Sequence, residues 1–207
     1  MTRTVVKANY VRAGGGASAI ASATMRASAQ YYGHRPDSDG ARQYRLGFDA
    51  ERDEIGKDEA YRRAEQGKGD YAYRIMLSPG EELDREELRE WTRDVMQAVE
   101  EAGGSWIGFV HEDHTDNAHA HVIAFTPERL EHEDFREMRE EGDRSAEVRL
   151  EARAQMERDP VQEEETARGE QEREPVAQGR DQREQDARAS ERVSERRGSE
   201  MAASHGE

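Results

Sequence analysis

Ser105-Trp106-Ile107-Gly108-Phe109-Val110 and, after eleven residues rich in histidine, Val122-Ile123-Ala124-Phe125 form the stretch whose reading decides the fold. Both runs are rich in β-branched and aromatic residues and are bounded by Gly103-Gly104 and Pro127, so both read as strands. Between them stands His111-Glu112-Asp113-His114-Thr115-Asp116-Asn117-Ala118-His119-Ala120-His121, which holds four of the chain's seven histidines. Side chains at i and i+2 of a strand point the same way, so His119 and His121 project from one face. His111 ends the preceding strand and continues the register of Ile107 and Phe109, which brings it beside the other two. Three neutral imidazoles converging from adjacent strands make a divalent-metal site with positions open to substrate. Asp113 and His114 are the alternative ligands or outer partners of that site.

Working outward, the helical stripe Leu88, Trp91, Val95, Val99 and Ala102 precedes the two strands. Asp84 and Glu87 form a capping-box start to that helix, and Gly103 closes it. Tyr71-Ala72-Tyr73-Arg74-Ile75-Met76-Leu77 alternates as a strand and stops at Ser78-Pro79-Gly80. A first strand is expected over about 5–12, a helix of small residues over 17–32, a short strand near 43–48 and a small helix over 58–65. The pattern implies an α+β fold, an antiparallel or mixed sheet with helices packed on one face. Gly14-Gly15-Gly16 lacks the Lys-Ser/Thr pair of a phosphate loop and reads as a turn.

Hydrophobic residues make up 33% of the 207 positions and charged residues 38%, too polar a mixture for the whole length to share a core. The composition shifts at Pro127, and beyond Leu150 there is no Leu, Ile, Phe, Tyr or Trp. The division expected is a domain over 1–127, a solvated helical extension over 128–158 with Phe135, Met138 and Val148 as sparse anchors, and a disordered charged tail over 159–207. No segment is apolar enough to cross a bilayer, and Met1-Thr2-Arg3-Thr4-Val5 has no signal-peptide core, so a cytoplasmic protein is expected. With no cysteine, disulfides and thiolate ligands are excluded.

The net charge of −16 is uneven: residues 1–50 carry +4 and the remainder −20. Only Lys7, Lys57 and Lys68 are lysines, so acidity and arginine together suggest adaptation to high internal salt.

Three histidines do not by themselves specify a reaction. A metal-bound hydroxide, an oxygenase iron with a carboxylate, and a cation clamped on a phosphate all fit. There is no Gly-x-Ser-x-Gly elbow to supply a serine nucleophile. The outstanding nucleophile candidate is the pair Tyr31-Tyr32, in the basic part of the chain and followed by His34 and Arg35. A phenolate near a cation can attack a polarised phosphodiester. The helical stripes do not choose between the two: Ile20, Ala27 and Tyr31 form one face, and Met25, Ala29 and Tyr32 another.

His119-Ala120-His121, with His111 eight residues upstream in Val110-His111-Glu112-Asp113, resembles the metal motif of HUH endonucleases, and in particular of plasmid-mobilisation relaxases of the MobA/MobL type. Arg26-Ala27-Ser28-Ala29-Gln30-Tyr31-Tyr32-Gly33-His34-Arg35-Pro36 resembles the helix end that carries their nucleophilic tyrosine. The likeness covers about residues 5–126. It implies an HUH-like domain that nicks single-stranded DNA at a transfer origin, with a 5′-phosphotyrosyl link as intermediate. In it Tyr31 would be the nucleophile, His111, His119 and His121 would hold Mn²⁺ or Mg²⁺, and Arg26, Arg35 and Arg74 are candidate DNA contacts. Relaxosome accessory and coupling proteins would be partners. Rolling-circle replication initiators share the histidine pair, but their tyrosine commonly follows the histidines, and here no Tyr occurs after Tyr73. A non-catalytic metal or nucleic-acid binding module is the alternative of a different class.

Overall fold

The computed structural model describes residues 3–14, 18–34, 44–112, 118–156 and 158. The chain divides into compact units over 1–151 and 152–207, and the first carries the architecture. Its elements are β1 (Val5–Arg12), α1 (Ser18–His34), α2 (Lys57–Gln66), β2 (Tyr71–Ser78), α3 (Arg85–Glu101), β3 (Ser105–His111) and β4 (His119–Thr126), with a further helix, α4, over 132–156. The strands form one sheet in the order β1-β2-β4-β3, antiparallel at every pairing. The expected α+β class with an antiparallel sheet is what the chain adopts.

The strand period divides the sheet into two apolar faces. On one face Tyr73, Ile75 and Leu77 of β2 and Trp106, Val110, Val122 and Ala124 of the hairpin meet Leu88, Trp91, Val95 and Val99 of α3. On the other, Ile107, Phe109, Ile123 and Phe125 meet Met25, Ala29 and Tyr32 of α1 and Ala60, Tyr61 and Ala64 of α2. The layering therefore goes beyond the expected single face: helices cover both sides. The central strands show why, since β3 and β4 are buried on nearly every residue rather than alternately.

Both helix signals around α3 take the expected form. Asp84 accepts from the backbone of Glu86 and Glu87 while the Glu87 side chain accepts from the Asp84 backbone, a complete capping box. Gly103 closes the helix at φ 72°, a conformation that costs a residue with a Cβ. Of the expected stripe, Leu88, Trp91, Val95 and Val99 are buried, whereas Ala102 lies past the last turn and is exposed.

The short strand expected near 43–48 is not a ladder strand among the described residues. Only Gly47 and Phe48 pair, with Ile55 and Gly108 respectively. Asp49 accepts from the backbone of Glu51 at 3.0 Å and of Arg52 at 2.7 Å, which turns the chain back at once. Phe48 lies against the β3 edge at Gly108, where an added Cβ would fall 2.6 Å from its ring.

The segment 128–158, expected to be solvated, is helical over 132–156, and one side of that helix belongs to the core. Leu130, Met138 and Ala146 are buried; the Trp91 indole donates to the Gly142 carbonyl at 2.8 Å, and Ser145 donates to Asp94 at 2.6 Å. Small residues allow this approach, and they carry little hydrophobic signal in a composition. Val148, expected as an anchor, is 58% exposed; two residues past Ala146, it turns about 200° round the helix to the opposite side. Residues 159–207 lie outside the described residues. We expect Met138→Ala to cost about 2–5 kcal/mol, the range for a fully buried methionine, measured by urea unfolding. A loss under about 1 kcal/mol would return this helix to the solvated extension that composition suggests.

Candidate metal centre

The β3–β4 hairpin positions the histidines. His111 and His119 are direct cross-strand partners, and His121 lies two residues along β4 on the same face. One nitrogen from each ring can be chosen so that all three lie within 4.8 Å of one another. Ring centroids are 5.4 Å apart for His111 and His119, 4.9 Å for His111 and His121, and 5.0 Å for His119 and His121. His111 and His119 are buried, at 2% and 6% exposure, and His121 is half-buried. His121 is paired on both edges, with Met76 of β2 and Phe109 of β3, and His119 with His111 of β3.

Three neutral nitrogen donors at this spacing fit one divalent cation. Coming from a single side, they leave the outer part of its coordination sphere to substrate. The ends of the loop that joins the strands are pinned. The Arg85 guanidinium donates through Nε to Glu112 at 2.8 Å, and the Ser78 hydroxyl donates to the Ala118 carbonyl at 3.3 Å. Asp113 and His114, the alternative ligands, lie outside the described residues.

Helix α1 delivers the tyrosine pair to this face. Its buried stripe is Ala21, Met25, Ser28, Ala29 and Tyr32, so the alternative stripe points to solvent: Ile20 is 70% and Tyr31 61% exposed. The Tyr32 ring stacks flat on His121, with centroids 4.3 Å apart and planes 5° from parallel, and also meets Phe109 at 6.1 Å. Tyr31 lies one ring further out, edge-on to Tyr32 at 5.9 Å. Burial pushes the Tyr32 phenol above its ordinary value, the nearby Tyr31 adds to this, and the positive charge of Arg74 works against it. Tyr32 is thus a neutral ring packed flat on His121, a contact the sequence pattern alone did not single out. The signal was present in the Met25-Ala29-Tyr32 stripe.

The candidate DNA contacts separate. Arg26 forms an ion pair with Glu65 and lies over the Tyr61 ring at 5.7 Å, joining α1 to α2. Arg35 lies outside the described residues. Arg74 stands on β2 opposite Ile123, two residues from Met76, which pairs with His121. This places Arg74 on the histidine face.

Residues 21–157 match a family model described as the relaxase MobA/VirD2-like nuclease domain. No curated protein matches the chain. No solved structure matches it. Among the described residues, no helix is long and apolar enough to cross a membrane.

Proposed function

The chain belongs to the MobA/VirD2-like relaxase nuclease family, and from that premise we propose a metal-assisted tyrosine transesterase that nicks one strand of DNA at a transfer origin, in the cytoplasm, during plasmid mobilisation or conjugative transfer. The observation that carries the reading is the His111–His119–His121 cluster beneath the helix end that bears Tyr31 and Tyr32. A divalent cation held there, Mn²⁺ or Mg²⁺, would supply Lewis-acid polarisation of the scissile phosphate.

Tyr31 is the nucleophile in this reading. Its exposure lets the phenol give its proton to water and meet a strand arriving from solvent. Its oxygen bonds to phosphorus as the bond to the 3′ oxygen breaks, leaving a 5′-phosphotyrosyl link and a free 3′-hydroxyl. One ester replaces another, so the link retains the energy needed to reseal the strand. Tyr32 keeps His121 in place and, buried and neutral, does not compete. Relaxosome accessory and coupling proteins complete the assembly.

The test is incubation with single-stranded transfer-origin DNA and Mn²⁺, followed by a denaturing gel. A band of protein joined to the 5′ half of the cut strand is expected. Metal binding with no adduct on any origin strand would instead make the chain a binding module.

A further inference from the structure

Among the described arginines, Arg74 is set apart by a buried guanidinium nitrogen that has no hydrogen-bond partner. Arg26, Arg52, Arg63, Arg85, Arg93 and Arg149 each reach a carboxylate, as expected in a chain with 47 acidic residues. Among the described residues no carboxylate pairs with Arg74, and its buried Nε has no hydrogen-bond partner. The residue is half-buried, so the guanidinium has given up water on one side with no anion in return. Leaving a partly buried charge uncompensated is costly. The fold carries that cost at the centre of the sheet, on β2 between β1 and β4.

The position points to the kind of anion that would meet it. Arg74 is two residues along β2 from Met76, the cross-strand partner of His121, a step of about 7 Å along the strand. The Tyr32 ring lies flat on His121 on this same face. An anion lying over the outer edge of the histidine cluster would meet this guanidinium. Among the described residues no glutamate or aspartate fills the place, although the chain is rich in both.

We propose that Arg74 is a phosphate-binding residue, its guanidinium gripping a backbone phosphate of the single strand next to the histidine cluster. The assignment rests on the reading of the chain as a DNA-nicking protein and gives one residue a defined share in it. Arginine suits the task because its planar fork meets two phosphate oxygens at once. In an acidic protein a single dedicated cation at the site also registers the strand where bulk attraction cannot.

The test compares wild type, Arg74→Gln and Arg74→Lys by fluorescence anisotropy on a short mixed-sequence single-stranded oligonucleotide at increasing NaCl. Thermal unfolding is measured alongside. One lost phosphate contact makes the slope of log affinity against log salt shallower by about 0.7. Arg74→Gln is expected to show that change, with affinity down roughly tenfold at low salt and an unchanged or higher Tm. Arg74→Lys is expected to keep the slope and recover part of the affinity. An Arg74→Gln slope equal to wild type, a lowered Tm with unchanged DNA affinity, or no DNA binding by wild type would each overturn the assignment. Failure of the nicking reading is a separate result: no wild-type adduct on origin DNA, with the Arg74 effect on binding still present.

Discussion

Tyr31→Phe is expected to abolish the covalent protein–DNA adduct, lowering its yield by about a thousandfold or more, while folding and metal binding stay as in wild type. The substitution keeps the ring, which is 61% exposed and touches Tyr32 only edge-on. It removes only the oxygen that would bond to phosphorus. The matched Tyr32→Phe keeps the flat contact with His121, which needs a ring and not a hydroxyl. Adduct formation should therefore survive it. Tyr32→Ala removes the ring from a buried position and frees His121 to tilt, so both stability and metal affinity should fall. An adduct that survives Tyr31→Phe and disappears in Tyr32→Phe would move the nucleophile to Tyr32. Survival in the double variant would remove both from the chemistry.

This tyrosine pair also shows how far a sequence carries. The two stripes of α1 are equally visible in it, one through Ile20 and Tyr31, the other through Met25 and Tyr32. Which one faces the sheet depends on what the sheet presents, here Phe109, Ile123 and His121, and that is a tertiary fact. Elements with a strong local signal were legible. The period of two in β3 and β4 put His111, His119 and His121 on one face, and Asp84, Glu87 and Gly103 bounded α3. Less legible were contacts made by residues with little apolar weight. Gly142, Ser145 and Ala146 bring α4 against Trp91 and Asp94, yet in composition they belong with the charged tail. Gly108 accepts Phe48 on the β3 edge because it has no side chain, and no periodicity announces such a pairing. Helices on both faces were implied by the unbroken apolar runs of the hairpin, a signal overshadowed by the alternating pattern of β2.

His119→Ala is expected to abolish Mn²⁺ binding in solution, and with it nicking. His119 is the cross-strand partner of His111 and lies two residues from His121 on β4, so its loss leaves two imidazoles and breaks the converging set. Removing even an outer partner of a metal ligand costs about 10–100-fold in affinity, so loss of a ligand itself should exceed a hundredfold. His111→Ala should do the same. His114→Ala should leave affinity within a fewfold, because the cluster is complete without it. The ligand form is the neutral ring and binding excludes its proton, so affinity falls as pH drops. With three rings competing for protons, the fall should be steeper than one proton per pH unit, which calorimetry with Mn²⁺ at a series of pH values measures. If His114→Ala abolished binding and His111→Ala spared it, the ligand set would pass from the end of β3 to the loop. Because His111 is buried, its own variant needs a Tm alongside the titration, so that lost binding is not mistaken for a lost fold.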